Sequence, residues 1–476
     1  MKLIKYFIPI ILLLQYSLIV KSEIILPSIL GDNMVLQQNA EVKLWGWAKK
    51  LTDITISTSW DHIVYKTKSS DTGEWAVKVQ TPRAGGPYSI NISDGDNLII
   101  NNILIGEVWL CSGQSNMEMR IEGFRGQPIE SSLDVISMAS PDNDIRFITI
   151  QRASSQIPQN DCVGQWQESN PASVLKVSAT AYFFAQYLQK VLNVPVGLIC
   201  SSWGGSKIQP WINEATYREN FPEISLEALT KNEKEIKDPR YEPALLYNAM
   251  INPVLNYVIK GAIWYQGESN RNESDLYKKL FPAMVRSWRK EWALGDFPFY
   301  YVQIAPYCYG KDNCENTEAA QLRQVQLECM DIIPNSGMVV TADIGYTTCI
   351  HPPKKSEVGK RLALWALAKT YGREGTPHSG PLYSSVDVDG DKIYVNFKHS
   401  EYGLTSYYED IFGFEVAAAD KVFYPAKAKL TAKSTKILLT CDKVNDPVYV
   451  RYAFRNDAVV NLYNNFRLPV SPFTSE

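Results

Sequence analysis

A serine lies between two amide side chains in the segment GEVWLCSGQSNMEMR, residues 106–120. The apolar run before it is typical of a buried strand, and a helix-like Met-Glu-Met follows it. Hydrolysis by a serine requires a nucleophile, a base and donors for an oxyanion. Ser115, at the end of a strand, has the position of such a nucleophile. The alternative is an ordinary turn, because serine and asparagine are common turn residues.

Few residues can be the base, because the chain contains only 4 histidines. His62 and His399 lie in strand-rich regions near the two ends, and His378 lies in a loop with proline and glycine. Only His351 follows a strand and loop of the middle region and precedes an amphipathic helix. We therefore predict that His351 is the base, the alternative being a surface histidine or a satisfied core histidine.

Candidate oxyanion donors occur at two further strand ends. Gly204 and Gly205 follow VGLICSSW and offer two unhindered backbone N–H groups, and Asn270 ends GAIWYQGESN with a side-chain amide. The backbone N–H of Ser115 is a third donor. Each of these residues alone is explained as a turn residue, but their recurrence at successive strand ends favours a site.

The elements that position these residues alternate between strands and helices from about residue 103. The predicted strands are VWLCSG, RFITI, VGLICSS, GAIWYQ, FYYVQIA and GMVVTAD, and helical periodicity occupies residues 173–193 and 275–292. Such alternation predicts a parallel sheet, whose ligands bind at the carboxyl ends of the strands. Short strands separated by turns precede this region, which predicts a small β-sandwich, and strands return after about residue 380.

The composition excludes some classes of function. The net charge of -3 comes without a block of lysine and arginine, so nucleic acid is not an expected partner. The chain has 8 cysteines but no CxxC pair or Cys/His cluster, and no metal or other cofactor is expected. Cys308 and Cys314 are close enough in sequence to close a small loop.

The first 22 residues resemble a cleaved secretory signal, with Glu23 as the first mature residue. Two lysines precede an apolar run of about fourteen residues. A spanning helix needs about twenty. We therefore expect a secreted or periplasmic protein whose mature form has no membrane anchor.

The long motifs together resemble the sialate O-acetylesterase family of the SGNH hydrolase superfamily. They are LPSILGDNMVLQQ, WGWA, GEVWLCSGQSNME, SSWGGS, WYQGESN, IHPPKKSEVGKRLALWAL and VRYAFRNDAVVNLYN. The resemblance implies a flavodoxin-like three-layer α/β/α SGNH hydrolase core, with accessory β-sandwich regions at the N- and C-terminal ends. It also implies that Ser115 is the nucleophile and His351 the base, and that Gly205 and Asn270 are oxyanion donors, with Gly204 as the fallback for Gly205.

The partner that orients His351 is left open by the sequence. The wider superfamily often has aspartate three residues before the histidine, where this chain has Thr348. Asp343 could accept a hydrogen bond from the imidazole. A backbone carbonyl could do so instead, in which case the site is a Ser–His dyad, and Glu268 is a weaker candidate. Asp343 is the residue that we predict. Among nearby aromatic residues, Trp203, Trp211 and Tyr265 are core residues or line the acyl or sugar pocket.

The resulting prediction is a secreted carbohydrate O-acetylesterase that forms a serine acetyl-enzyme without a metal. By resemblance the substrate is an O-acetylated sialic acid. An acetylated polysaccharide such as acetylxylan is the alternative, and a non-catalytic carbohydrate-binding protein is the rival of another class. The predicted segments are a signal peptide (1–22), an N-terminal β-sandwich domain (23–102), a catalytic domain (103–380) and a C-terminal β-rich region (381–476).

Overall fold

The computed structural model describes residues 24–310 and 314–476. The predicted signal peptide and its cleavage point lie outside the described residues. Among the described residues, no helix combines the length and the apolar character needed to cross a membrane.

The N-terminal region consists of β-strands, as predicted. Along β2, alternate residues such as Val42 and Leu44 are buried, as expected for a strand with one face on a core. β2 pairs antiparallel with β5, and their apolar residues share a hydrophobic cluster with those of β3 and β6. The strands are β1 (Val35–Gln37), β2 (Glu41–Trp47), β3 (Asp53–Thr58), β4 (Val64–Lys68), β5 (Glu74–Gln80), β6 (Gly85–Ser93) and β7 (Asn97–Gly113).

Strand β7 joins this region to the rest of the molecule. Its first half pairs antiparallel with β6, and residues 107–113 pair in parallel with β10. The boundary predicted between residues 102 and 103 therefore falls inside one continuous strand.

The central sheet contains all six strands predicted for the middle region. Its order is β13-β12-β11-β7-β10-β8-β9, and the strands are parallel except that β9 runs antiparallel to β8 at the edge. The sheet is therefore mixed rather than purely parallel, and its parallel strands all end on the same edge. The added strands are β8 (Ile145–Thr149), β9 (Trp166–Glu168), β10 (Val196–Ser202), β11 (Gly261–Tyr265), β12 (Phe299–Val302) and β13 (Ser336–Val339).

Helices alternate with these strands. The helix predicted at 275–292 is present, but the segment 173–193 forms two helices, because the Ser178 hydroxyl accepts a hydrogen bond from the Ala181 N–H and begins a new helix. The α-helices are α1 (Ser115–Glu118), α2 (Ser132–Ser137), α3 (Pro171–Val174), α4 (Ala179–Leu192), α5 (Glu214–Asn220), α6 (Ser274–Trp292), α7 (Glu318–Ile332) and α8 (Lys355–Trp365). Short 3₁₀ segments lie at Pro141–Asn143, Gln209–Trp211, Glu227–Leu229, Glu233–Glu235, Asn252–Val254 and Glu268–Asn270, and π-helical segments lie at Tyr247–Ile251 and Ala366–Thr370.

Two hydrophobic clusters cover the two faces of the central sheet. Successive residues of β11 alternate between them, with Trp264 in one cluster and Tyr265 in the other. The first cluster contains the buried faces of α6 and α7, and the second contains those of α4 and α8. The strands are buried on both faces, which explains why they are continuous apolar runs.

The C-terminal region adds further β-sheets. It is tied to the central part by hydrogen bonds from Gln303 Nε2 to Ser471 Oγ (3.0 Å) and from the Ala319 N–H to Asn456 Oδ1 (2.8 Å). Its strands are β14 (Leu382–Asp389), β15 (Lys392–Lys398), β16 (Leu404–Thr405), β17 (Phe414–Ala417), β18 (Tyr424–Pro425), β19 (Lys427–Leu430), β20 (Lys436–Thr440), β21 (Tyr449–Tyr452), β22 (Tyr463–Asn464) and β23 (Phe473–Thr474). In the loop after β12, Cys308 and Cys314 form a disulfide.

Candidate active site

Ser115 lies at the carboxyl edge of the central sheet, as the first residue of α1. The chain turns there at Gly113, whose φ is +143°, and a Cβ on this glycine would lie 2.2 Å from the Tyr265 carbonyl oxygen. Gln114 then donates its N–H to that same carbonyl (2.9 Å). Only glycine allows β7 and β11 to approach this closely, and the turn leaves Ser115 partly exposed.

The structure brings His351 to this serine. Nε2 of His351 lies 2.9 Å from Oγ of Ser115, although the two residues are 236 positions apart. The imidazole is half-buried, and its other nitrogen, Nδ1, lies 2.7 Å from Oε1 of Gln127. An amide oxygen only accepts hydrogen bonds, so Nδ1 carries the proton and the lone pair of Nε2 faces the serine hydroxyl. This is the tautomer that a general base requires.

Gln127 is held by a tight turn after α1. Phe124 and Gln127 exchange both backbone hydrogen bonds (3.0 and 2.9 Å), and Gly126 in the turn has a φ of +75°. The Phe124 ring packs edge-on against the imidazole at a centroid distance of 5.0 Å. One turn therefore supplies both the wall and the hydrogen-bond partner of His351.

The prediction that Asp343 orients His351 is wrong in this structure. Both carboxylate oxygens of Asp343 accept hydrogen bonds from Arg361 (2.8 and 2.7 Å), and each side chain of the pair is only 6% exposed. A buried guanidinium requires a countercharge, and Asp343 supplies it. Glu268, the weaker candidate, is bound to Asn116 instead.

Three buried polar side chains lie beneath the Ser–His pair. Asn116 accepts a hydrogen bond from Lys355 Nζ at Oδ1 (2.6 Å) and donates from Nδ2 to Glu268 Oε1 (2.5 Å) and to the Ile350 carbonyl (3.0 Å). Lys355 also donates to the Pro352 carbonyl (2.8 Å). The network therefore connects α1, the segment after β11 and the loop that carries His351 to one another.

Burial and charge set the protonation of this group. Burial and, to a smaller extent, the nearby Lys355 ammonium lower the pKa of His351 to about 4. Burial also lowers the pKa of Lys355 to about 7, against the opposing effect of the Glu268 carboxylate. The pKa of Glu268 is raised by its burial, even though Asn116 and Lys355 favour its anion. His351 is therefore neutral, and able to act as a base, at any pH well above 4.

The glycine loop after β10 lies against Ser115. A Cβ on Gly204 would lie 3.3 Å from Ser115 Cβ. Its N–H donates to Glu118 Oε2 (2.9 Å), so Gly204 has no N–H to offer to an oxyanion. Among the described residues, the N–H groups of Gly205 and Ser115 have no acceptor. Gly205 is therefore a better candidate than the fallback Gly204.

The prediction that the Asn270 side chain is an oxyanion donor is also wrong in this structure. Oδ1 accepts from the Ile208 N–H (2.9 Å), which fixes the orientation of the amide. Nδ2 donates its two hydrogens to Gln209 Oε1 (3.0 Å) and Glu273 Oε2 (3.1 Å). The residue is 0% exposed. Asn270 holds neighbouring loops together and has no hydrogen free for an oxyanion.

The three aromatic residues near the motifs have different positions. Trp211 and Tyr265 are fully buried, and the Trp211 indole N–H donates to Ser206 Oγ (3.0 Å), so both belong to the core. Trp203 is partly exposed beside the glycine loop. Of the three, Trp203 alone is placed to contact a ligand.

The described residues contain no cluster of three or more His, Cys, Asp or Glu side chains suited to a metal ion. The expectation of a reaction without a metal stays a prediction.

Sequence reasoning missed Gln127, Asn116, Lys355 and Glu118. Gln127 gave no signal, because a neutral amide in a turn looks like any polar loop residue. Asn116 and Lys355 did lie inside the recognised motifs GQSN and HPPKK. A lysine four residues after the candidate base was therefore a signal that could have been used.

Comparison with solved structures shows the class of protein to which this fold belongs. A solved structure of a carbohydrate acetylesterase from Xanthomonas citri superimposes with a TM-score of 0.86 and 34% sequence identity, covering 95% of this chain and 99% of that chain. This strand-end site thus lies in the fold of a carbohydrate esterase.

The family follows from the sequence comparison. The family model described as "Carbohydrate esterase, sialic acid-specific acetylesterase" matches residues 105–368, more than half of the chain, and the chain belongs to this family. It is 29% identical to human sialate O-acetylesterase, in an alignment that covers 78% of this chain and 76% of the human protein. It is 26% identical to the mouse protein of the same name, in an alignment that covers 94% of each chain.

Proposed function

We propose that this protein is a secreted carbohydrate O-acetylesterase that works through a serine acetyl-enzyme. The observation that carries the proposal is the 2.9 Å contact between Ser115 Oγ and His351 Nε2, with Gln127 Oε1 on the opposite ring nitrogen. A nucleophile, its base and a group that orients the base are the three parts that such a mechanism needs.

The reaction proceeds in two halves. Ser115 Oγ attacks the acetyl carbonyl carbon while His351 Nε2 takes the hydroxyl proton. The bond between the acetyl carbon and the sugar oxygen then breaks, and the imidazolium gives that proton to the sugar oxygen. Water then attacks the acetyl-enzyme with the same base, which releases acetate and restores the Ser115 hydroxyl. Gln127 holds the productive tautomer throughout but brings no countercharge to the imidazolium.

The N–H groups of Ser115 and Gly205 stabilise the oxyanion in both halves. Their lack of other acceptors and the contact between the glycine loop and Ser115 support this assignment. Preorganised donors of this kind act on charge that appears only in the transition state and the intermediate. Asn270 is not one of these donors, because both hydrogens of its amide are bound to Gln209 and Glu273.

The proposed substrate is an O-acetylated sialic acid. The family description and the names of the human and mouse relatives support it. Sialic acids carry a carboxylate, and Arg240 lies at the glycine loop with Nη1 donating to the Gly204 carbonyl at 3.2 Å. Asp238 also binds this guanidinium, so a substrate carboxylate would share it.

The proposal includes the predicted architecture and location. The central sheet with its helices is an SGNH-type three-layer core spanning residues 103–380, between an N-terminal β-sandwich (23–102) and a C-terminal β-rich region (381–476). The signal peptide (1–22) directs export, and neither a cofactor, a nucleic acid nor a membrane takes part in the reaction of the mature protein. The helices on both faces of the sheet support the three-layer core.

The test is the loss of acetate release in Ser115→Ala and His351→Gln. Removing either member of such a pair costs about 10⁶-fold in turnover. Thermal melting of each variant should match the unchanged protein. Matched controls are Ser137→Ala on the surface of α2 and His378→Gln, a half-buried histidine packed on Trp365, and both should keep their activity. More than a tenth of the activity in Ser115→Ala would remove Ser115 from the role of nucleophile. The absence of acetate release by the unchanged protein would support a non-catalytic carbohydrate-binding protein instead.

Substrate preference is a separate measurement. We expect kcat/KM to be higher for O-acetylated sialic acid than for acetylxylan. Arg240→Gln should reduce kcat/KM for O-acetylated sialic acid and leave hydrolysis of p-nitrophenyl acetate unchanged. A preference for acetylxylan would retain the esterase proposal and replace its substrate.

A further inference from the structure

A groove of about 630 Å³ lies between the N-terminal β region and the central part of the molecule. One wall is the β2–β5 pair, including Trp45, Trp47 and Trp75, and the other wall includes Asn256 and Glu291. This volume is within the range of sites that bind small molecules, about 300–1,000 Å³.

The groove is separate from the Ser115 site. The segment Asn252–Val254 on its wall precedes β11 and so lies at the amino end of that strand. Glu291 is in the last turn of α6, which returns the chain to the amino end of β12. Ser115 follows the carboxyl end of β7, which is parallel to β11. The two sites are therefore at opposite edges of the central sheet.

The tryptophans give the groove an aromatic wall. Trp45 and Trp47 are two positions apart on β2 and share a face, and the residue opposite Trp45 on β5 is the small Ala76. Trp47 is partly exposed. Flat indole faces bind the apolar face of a sugar ring while leaving its hydroxyls free for polar partners.

Trp75 is 3% exposed and is opposite Gly46 in the β2–β5 register, so its side chain lies on the other face of the strand pair from Trp45 and Trp47. The aromatic surface of the groove is therefore that of Trp45 and Trp47.

The polar groups of the groove carry no net charge. Lys43 and Lys68 are balanced by Glu74 and Glu291. Lys43 Nζ also donates to Asn256 Oδ1 (2.7 Å), and amide, ammonium and carboxylate groups all line the groove. This mixture suits a ligand with many hydroxyls and no charge, and it offers nothing selective to an anionic sugar.

We propose that this groove is a second carbohydrate site that binds a neutral pyranose unit of a glycan chain. It would hold a polymeric substrate while the Ser115 site acts on acetyl groups elsewhere on the same or a neighbouring chain. Binding in the groove does not depend on the esterase proposal, because it needs neither an ester nor the Ser–His pair.

The test is calorimetric titration of the full chain with xylohexaose and cellohexaose, which contain no acetyl ester. We expect saturable binding that Trp47→Ala weakens about tenfold and Trp47→Tyr largely restores, because the stacking surface returns. Trp60→Ala is the matched control: this tryptophan of the same region packs on Tyr88, and its loss should leave binding unchanged. Free sialic acid should not compete.

Two further measurements distinguish a loss of binding in the groove from a general loss of folding. Trp47→Ala should melt at nearly the same temperature as the unchanged protein and hydrolyse p-nitrophenyl acetate normally. The absence of saturable binding at millimolar concentrations, or binding that Trp47→Ala leaves unchanged, would overturn the proposal. If Ser115→Ala stays active while Trp47→Ala loses binding, the esterase mechanism fails and the groove stands.

Discussion

At the scale of residues, the imidazole of His351 has a neutral partner. A carboxylate at Nδ1 stabilises the imidazolium that forms during acyl transfer. Gln127 accepts the same hydrogen bond without supplying a charge. Burial and the nearby Lys355 lower the pKa of the ring to about 4, and Gln127 supplies no charge to oppose them, so the imidazole stays neutral in mildly acidic solution.

Gln127→Glu should move the acidic limb of the kcat/KM profile to higher pH. The new carboxylate favours imidazolium, and an opposite charge within hydrogen-bond distance raises a histidine pKa by about 1–3 units. Because the base works as neutral imidazole, the variant loses activity at a higher pH than the unchanged protein, whose limb lies near 4. Gln127→Ala should lose about tenfold in turnover, the value of one hydrogen bond.

Asp343→Asn is the matched control for this profile. It weakens the buried pair with Arg361 and should lower the melting temperature, but the midpoint of the acidic limb should not move. A midpoint that shifts in Asp343→Asn and not in Gln127→Glu would show that Asp343 is the partner of His351 after all.

Asn270→Ala should act on stability rather than selectively on turnover. The amide makes four hydrogen bonds, those to Ile208, Gln209 and Glu273 and a further one accepted from Gln266 Nε2 (2.8 Å). Each buried partner left unsatisfied costs about 1–3 kcal/mol of unfolding free energy. Chemical denaturation should show this loss, and at low temperature turnover should stay within about tenfold. Asn248→Ala, a buried amide that donates to the Ser155 carbonyl, is the control and should cost less. A 10²- to 10³-fold fall in kcat at unchanged stability would instead identify an oxyanion donor.

At the scale of elements, α1 and α8 meet through the Asn116 amide. Ser115 begins α1, and His351 lies in the loop that leads into α8. Lys355, the first residue of α8, reaches across to Asn116 and also holds the Pro352 carbonyl. The same ammonium that fixes the loop lowers the pKa of His351.

Lys355→Met should raise the midpoint of the acidic limb from about 4 toward the ordinary histidine value. Loss of the ammonium removes a charge that disfavours imidazolium, while burial of the ring remains, so the shift should be partial. Lys354→Met removes a neighbouring positive charge outside the network and should leave the midpoint in place.

The double variant Lys355→Met/Glu268→Gln separates charge from folding. Lys355→Met alone leaves the buried Glu268 carboxylate without its nearby cation and should lower stability. The added Glu268→Gln should recover part of that stability while the midpoint stays raised. An unshifted midpoint in both variants would leave Lys355 with a purely structural role.

At the scale of the whole molecule, the N-terminal β region shares its core with the rest of the chain. One hydrophobic cluster includes Ile54 of that region, Trp264 of the central sheet and Phe473 near the C-terminus. Hydrogen bonds cross the same contact, from the Trp166 indole N–H to the Ile29 carbonyl (2.8 Å) and from the Tyr257 hydroxyl to the Val35 carbonyl (2.7 Å).

Calorimetry should therefore show a single unfolding transition. A fragment of residues 97–476 should lack a stable fold, because it keeps β7 but loses β1 and β6, which pair with it. Circular dichroism and melting of the fragment test this. A cooperative transition with normal esterase activity in the fragment would show that the central part folds independently.

Much of this site was predictable because it depends on local chemistry. Strand ends, glycines at tight turns and the scarcity of histidine are all visible in the sequence, and Ser115 and His351 meet where those signals placed them. The six parallel strands of the sheet followed from the alternation of strand and helix patterns. The antiparallel β9, which makes the sheet mixed, was not predicted, because its three residues are too few for a clear pattern.

The pairing of polar groups was decided by the tertiary structure. Asp343 had the right chemistry for His351, but the buried Arg361 takes both of its carboxylate oxygens. Asn270 had the right chemistry for an oxyanion, but its two hydrogens are taken by Gln209 and Glu273. Each polar atom has a small, fixed number of hydrogen bonds, and distant segments compete for them only once the chain is packed. The sequence by itself thus determined which residues could do chemistry, and packing decided which of them were left free to do it.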